Sequence, residues 1–193
     1  MSYQTYTTEA MVCGSYANNT ADKSFLLFTK RAGMIYATAR SVREERSRQR
    51  YALQDFSLVS VSLVHGKSGW RIGSVEARGN IFSIATTRSE RGSVVRLVKI
   101  LRRFVQGEEP HPELYEEFLH SLDYLSIIPD TERPALEKLL MVRLLYLLGY
   151  IAPPAEIKLL LEYSLESLDI LAIKSQINSI ERLLENAHSV SHL

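Results

Sequence analysis

The spacing of apolar residues changes once along this chain, near residue 85, and the change separates two kinds of secondary structure. In residues 56–64 apolar and polar side chains alternate, which is the two-residue period of a strand with one buried face. From residue 88 onward apolar residues recur every three or four positions, which is the period of amphipathic helices. We therefore expect an α+β fold, with a β-rich domain over residues 1–84 and an all-helical domain over residues 85–193.

Five short strands are expected before the change of period. They cover residues 6–12, 24–29, 33–39, 56–64 and 70–77. The fourth is expected to hold its apolar residues mostly on one face: Phe56, Leu58, Val59, Val61 and Leu63. Five strands within about 80 residues favour a small closed barrel such as the OB-fold.

Five helices are expected after it. They cover residues 86–105, 114–125, 131–148, 154–163 and 167–187. The third carries Pro134 in its first turn, where proline is tolerated, and Gly149 follows its last turn as a stop signal. Because this third helix is apolar on nearly all faces, we expect it at the centre of a bundle.

Charge is divided even more sharply than hydrophobic spacing. Residues 1–105 hold 17 Lys and Arg against 7 Asp and Glu, whereas residues 106–193 hold 6 against 15. The net charge of +1 hides this division. The basic part indicates a polyanionic partner such as nucleic acid.

The cations concentrate in two places. Residues 30–50 carry seven of them against two acidic residues, and residues 40–50 are polar enough to predict a long exposed loop. On the first helix, positions 96, 99 and 103 share one face. The residues expected to bind nucleic acid are Lys30, Arg31, Arg40, Arg43, Arg46, Arg48, Arg50, Tyr51, Arg96, Lys99 and Arg103. The competing interpretation is an ordinary solvated surface.

Aromatic residues near these charges are candidates for stacking on bases. They are Tyr16, Tyr36, Tyr51 and Trp70, and Tyr51 is favoured because it adjoins the basic loop. The alternative for each of them is a place in the hydrophobic core.

Signatures of catalysis, cofactors and metal sites are weak in this sequence. Cys13 lies in an apolar run and is expected to be a core residue, and a single cysteine makes no internal disulfide. Gly66-Lys67-Ser68 lacks the upstream glycine and the following helix of a phosphate loop. His188 and His192 are four apart but lie in a tail that is expected to fray. We expect no enzyme, cofactor or metal, no membrane span, and a cytoplasmic location.

Several short motifs resemble those of the RecO family of bacterial recombination mediators. Residues 28–33 (FTKRAG) are similar to its F-T-x-x-x-G turn, and residues 37–43 (ATARSVR) to its A-x-G-A-R segment. Residues 52–56 (ALQDF) resemble A-L-Q-P-F, with Asp55 in place of proline. Residues 75–77 (VEA) fit the end of a strand, and residues 143–150 (RLLYLLGY) resemble R-L-L-x-x-L-G-Y.

The resemblance implies an OB-fold followed by a helical domain, with no catalysis. It implies binding of single- and double-stranded DNA, strand annealing, partnership with RecR, and in many members binding of the tail of the single-strand DNA-binding protein. Many members carry a four-cysteine zinc module after the L-G-Y motif, and its absence here implies a short, zinc-free form. An RNA-binding OB module and a protein-interaction adaptor remain open alternatives.

Overall fold

The computed structural model describes residues 5–190 and contains a closed five-stranded barrel. Its strands are β1 (Thr5–Ala17), β2 (Lys23–Thr29), β3 (Gly33–Ala39), β4 (Ser57–Gly66) and β5 (Gly69–Asn80). They follow the order β1-β2-β3-β5-β4, and β4 pairs back with β1 to close the barrel. All pairs are antiparallel except β3 with β5, which meet in parallel at Ala37–Trp70 and Thr38–Arg71. The predicted OB-fold barrel is confirmed.

The first strand is longer than predicted because it pairs with two neighbouring strands. Its first half pairs with β4 and its second half with β2. The register shifts between Val12 and Gly14, as at a β-bulge, which bends a strand. Cys13 at this shift is buried, as expected. The extension also places Tyr16 within the strand, opposite Ser24 of β2.

The interior of the barrel is apolar, with Phe25, Leu27, Ile35, Val61 and Leu63 among its buried residues. In β4 the inward residues are Val59, Val61 and Leu63, which are fully or almost fully buried. The expectation for the other two apolar residues was wrong. Leu58 lies on the opposite face of the strand, because side chains alternate, and Phe56 precedes the strand with φ +68°.

The connection between β3 and β4 closes one end of the barrel. Val42 and Leu53 from this connection are buried in the barrel core, although they lie outside its strands. A four-residue helix, α1 (Gln49–Ala52), precedes Leu53. Residues 40–50 were predicted as a plain exposed loop, so both the anchoring Val42 and the start of α1 correct that prediction.

The structure divides into two compact units, and the first is discontinuous in sequence. It combines the described part of Met1–Thr86, including the short α2 (Ile81–Ile84), with Val105–Tyr115. Tyr115 packs on Phe28 with ring centroids 5.4 Å apart. The backbone N–H of Met34 donates to the carbonyl of Gly107 at 2.9 Å. The predicted domain boundary at residues 84 and 85 remains a prediction.

The second unit is helical and combines Thr87–Phe104 with the described part of Glu116–Leu193. The later helices of the chain are α3 (Arg88–Phe104), α4 (Pro112–Ile127), α5 (Arg133–Leu147), α6 (Ala155–Glu162), α7 (Ile170–Ser175) and α8 (Ile177–Val190). Helix α5 buries Leu136, Leu139, Leu140, Leu144 and Leu145 completely, so its predicted central place is confirmed.

The single helix predicted over residues 167–187 was wrong. Leu165–Ser167 forms a 3₁₀ turn, and the Asp169 side chain then begins α7 by accepting from the backbone N–H of Leu171. A second break at Gln176 separates α7 from α8. Because of the breaks, Ile173 and Ile180 are both fully buried, and both helices contact α5.

Gly33 is expected to tolerate substitution poorly. Its φ is +61°, and a Cβ there would lie 2.4 Å from the Glu109 carbonyl oxygen and 2.6 Å from that of Gly107. We predict that Gly33→Ala destabilises the protein by more than about 1 kcal/mol, because left-handed strain adds to a backbone clash. Gly69→Ala is the control, since Gly69 has φ +91° but open space around it. Equal losses in urea unfolding would contradict this prediction.

Candidate nucleic-acid interface

The predicted basic segment is split between the two ends of the barrel. Lys30 and Arg31 precede β3, whereas Arg40 and the later arginines follow it. Seven strand residues span about 20 Å at 3.3 Å each. Lys30 also lies 3.5 Å from the Glu9 carboxylate. The seven cations of residues 30–50 therefore do not form one continuous patch.

We call the surface after β3 the basic end. It consists of Lys23, Arg40, Arg43, Arg46, Arg48, Arg50 and Tyr51. The β1–β2 turn and the β3–β4 connection meet here through backbone and side-chain hydrogen bonds. Arg43 donates from its guanidinium to the Asn19 carbonyl at 2.6 Å, and from its backbone N–H to the Ala21 carbonyl at 3.0 Å. The basic loop is therefore held in place by its neighbours.

Asp22 is the acidic residue at the centre of this contact. Its carboxylate accepts from the Asn19 side chain at 3.0 Å and from the backbone N–H of Ser41 at 2.8 Å. Ser41 has φ +51°, which this bond helps to stabilise. The Asn19 hydrogen bond lowers the pKa of Asp22 most, with the Ser41 hydrogen bond and the Arg40 charge acting in the same direction.

Two clefts open at the basic end. One has a volume of about 390 Å³ and combines Lys23, Arg43 and Arg50 with the apolar side chains of Phe25, Val42 and Leu53. The other, of about 260 Å³, contains Arg40 and Arg71 beside Thr38 and Gln49. Sequence reasoning missed Lys23 and Arg71, since neither lies in the dense run of arginines. The β2–β3 pairing places Lys23 opposite Ala39, and the β3–β5 pairing places Arg71 opposite Thr38.

Two exposed tyrosines form a pair on the outer face of the strands that carry this end. The rings of Tyr16 on β1 and Tyr36 on β3 are 6.0 Å apart and are 45% and 59% exposed. Sequence reasoning named both but favoured Tyr51, which is 70% exposed on α1. Such exposed rings can stack on unpaired bases.

The cations on α3 have different surroundings in their own unit. Arg96 forms a forked pair with Glu137 of α5, through its Nε to one carboxylate oxygen and its Nη2 to the other at 2.8 Å. Arg103 donates to the carbonyl of His188 at 2.9 Å. Lys99 is exposed. These contacts give Arg96 and Arg103 structural roles, and their predicted part in nucleic-acid binding is untested.

Among residues 5–190, no cluster of three or more His, Cys, Asp or Glu is arranged to hold a metal ion. The His188 Nδ1 donates to the Leu184 carbonyl at 2.7 Å, and His192 lies outside the described residues. No helix in the described part of the chain is both long and apolar enough to cross a membrane.

Both halves of the chain match models of one protein family. Residues 1–79 match "Recombination protein O N terminal" and residues 92–153 match "Recombination protein O C terminal". The chain belongs to the RecO family.

Curated relatives carry the same RecO name. "DNA repair protein RecO" of Desulfitobacterium hafniense is 29% identical over 117 residues, which are 61% of this chain and 43% of that protein. The protein of the same name from Mannheimia succiniciproducens is 27% identical over 124 residues, or 64% and 53% of the two chains. The matches thus cover about half the length of these RecO relatives.

Two of the RecO-like motifs have visible structural roles. In residues 28–33 the Thr29 hydroxyl accepts from the backbone N–H of Ala32 at 2.8 Å and donates to the Gly33 carbonyl at 3.0 Å, which closes the turn. In residues 143–150 the Tyr150 hydroxyl donates to the Phe104 carbonyl at 3.1 Å. These two motifs stabilise the fold through the hydrogen bonds described.

Arg96→Ala and Lys99→Ala make a matched pair on α3. Arg96→Ala leaves the buried Glu137 carboxylate without its cation, so we predict a loss of about 1–3 kcal/mol in unfolding free energy, less than for a fully buried pair because the Arg96 side chain is half exposed. Lys99→Ala should leave stability within about 0.5 kcal/mol. Urea unfolding of the two variants measures this; equal stability would contradict the structural role of Arg96.

The lowered pKa of Asp22 predicts a pH effect. Since the folded value is below the unfolded one, Asp22 adds stability above its ordinary pKa, and this is lost as pH falls through the folded value. Asp22→Asn should therefore be less stable than the parent at neutral pH, and the difference should shrink in acid. Unfolding curves over that pH range measure it, and a difference that is constant with pH would contradict the prediction.

Proposed function

We propose that this RecO-family chain is a non-catalytic DNA-binding protein of recombinational repair, which holds single-stranded DNA at the basic end of its barrel. The observation that carries the proposal is the meeting there of cations from three chain segments, represented by Lys23, Arg40 and Arg71, beside the exposed Tyr16–Tyr36 pair. Cations neutralise the backbone, and aromatic rings stack on unpaired bases.

Pre-organisation of the loop supports this proposal. Arginines on an unanchored loop lose conformational entropy when they become ordered on a strand of DNA. Here the buried Val42 and the Asp22–Ser41 hydrogen bond fix the loop before any ligand arrives. Arg46 and Arg48 project from this fixed loop as exposed residues. Part of the conformational entropy that ordering the loop requires is therefore lost during folding and not during DNA binding.

The further activities are proposed from the family resemblance and not from particular residue contacts. We propose that neutralised strands repel each other less, which favours annealing, and that the protein also binds double-stranded DNA. A RecR-like partner, the tail of the single-strand DNA-binding protein and a cytoplasmic location belong to the same proposal. The exposed acidic residues of the helices after Val105, such as Glu113 and Glu156, keep that part of the chain unattractive to DNA.

The test is a salt titration of binding to a labelled single-stranded oligonucleotide, followed by fluorescence anisotropy. The variant is Arg46→Ala/Arg48→Ala, because Arg43 also holds the loop and its removal would disturb the fold. We predict weaker binding and a salt slope reduced by about 0.7 for each phosphate that is no longer neutralised. Arg78→Ala/Lys158→Ala removes equal charge at exposed sites whose ion pairs, with Glu76 and Glu162, are superficial, and should bind like the parent.

Three results would count against the proposal. Micromolar or weaker affinity at low salt, unchanged by alanine at Arg40, Arg46 and Arg48, would remove the basic end as a DNA site. Stronger binding of an RNA oligonucleotide of the same sequence would favour an RNA-binding module. A partner retained after nuclease treatment, without any oligonucleotide binding, would favour a protein adaptor.

A further inference from the structure

A further cleft lies on the barrel, separate from the two clefts at the basic end. It forms where β1 begins, where β2 turns into β3, and where β4 turns into β5. Its volume is about 670 Å³, and its lining consists of Tyr6, Arg31, Ala32, His65, Trp70 and Glu108. Clefts of roughly 300–1,000 Å³ are typical of small-ligand sites.

Aromatic side chains form the rigid part of this cleft. His65 and Trp70 face each other across the β4–β5 hairpin, with ring centroids 4.7 Å apart and an edge-to-face angle of 75°. Tyr6 and Trp70 both pack against the barrel core. The Tyr6 hydroxyl donates to the Arg31 carbonyl at 2.8 Å, which fixes the turn that carries the Arg31 side chain.

The cleft has polar groups at its rim and a buried donor beside it. The indole N–H of Trp70 is buried and makes no hydrogen bond within the described residues. An unsatisfied buried donor costs about 1–3 kcal/mol. Because this nitrogen is buried, a ligand in the cleft contacts the indole ring and not the N–H. Arg31 adds an exposed cation to the rim and Glu108 an exposed carboxylate.

This combination narrows the class of ligand. A simple anion suits Arg31 but is repelled by Glu108, and a purely apolar ligand leaves both charged groups without partners. A nucleotide suits the whole lining: its base stacks on the aromatic walls, its phosphate pairs with Arg31, and an exocyclic amino group donates to Glu108.

We propose that this cleft binds one nucleotide, with its base against Trp70 and its phosphate at Arg31. The inference rests on the proposed function where the nucleotide belongs to a bound strand, but a free nucleotide offers the same chemistry. In the first case a strand contacts both the basic end and this cleft, and the length of β3, about 20 Å, separates Arg31 from Arg40.

The chain carries its own probe for this site, because Trp70 is its single tryptophan. A base stacked on the indole quenches its fluorescence. The test is a titration of the protein with oligodeoxycytidine and, separately, with dCMP. Cytosine is chosen because its amino group can donate a hydrogen bond to the Glu108 carboxylate. Quenching by both ligands, or by the oligonucleotide alone, is the expected result, and the two patterns distinguish a free nucleotide from a strand.

Variants locate the effect in the cleft. Arg31→Ala and His65→Ala should each raise the concentration needed for half-maximal quenching by about tenfold, whereas Arg78→Ala, with the same charge change as Arg31→Ala, should leave it unchanged. Trp70→Phe keeps an aromatic ring but offers a smaller face for stacking, so its oligonucleotide affinity, measured by anisotropy, should fall. Thermal unfolding of each variant verifies that it is folded.

The outcomes separate this inference from the proposed function. If the labelled oligonucleotide binds, but Trp70 emission stays constant to saturation and Arg31→Ala binds like the parent, the cleft is not a nucleotide site and the proposed function stands. If no oligonucleotide binds at low salt, the proposed function fails, and quenching by dCMP alone would still support the cleft. Constant emission with both ligands overturns the inference.

Discussion

The short parallel pairing between β3 and β5 is the constraint on which the barrel unit depends. It consists of two residue pairs, Ala37–Trp70 and Thr38–Arg71, and it converts a folded-over sheet into a closed barrel. Closure buries the apolar interior and removes the free strand edges that otherwise favour aggregation. It also fixes two neighbouring residues in different places, with Trp70 in one cleft and Arg71 in another. Both proposed binding surfaces therefore depend on the same pairing.

In the helical unit, buried ion pairs between α3 and α5 constrain how the helices pack. Arg133 is 3% exposed and binds Glu90 of α3 as well as the carbonyls of Leu125 and Ile128. Glu137 is 5% exposed and accepts from Ser93 at 2.5 Å as well as from Arg96. Such pairs add little net stability over apolar packing, but removing one partner is costly. They favour one alignment of α3 on α5 over others.

The sequence allowed the architecture to be predicted, because strand and helix periods are local properties. It also located the arginine-rich segment and the aromatic candidates. It did not show that Lys30 and Arg31 lie far from Arg40, because the strand β3 sets that distance only in the folded barrel. The pairing of Arg96 with a residue 41 positions away likewise has no local signal. The break at Gln176 arises from burial on α5, which overrides a continuous helical pattern.

The packing of residues 105–115 on the barrel has a consequence for how this unit can be inherited and synthesised. A chain ending near residue 86 would contain every strand, yet it would expose Phe28 and leave the Met34 N–H without the Gly107 carbonyl. A gene segment that encodes only the five strands therefore does not encode the complete barrel unit, and its transfer to another gene would not transfer a fully packed domain. During translation the barrel reaches its final packing only after residues 105–115 have been synthesised. Helix α3 is therefore synthesised before the barrel that precedes it in sequence has finished folding.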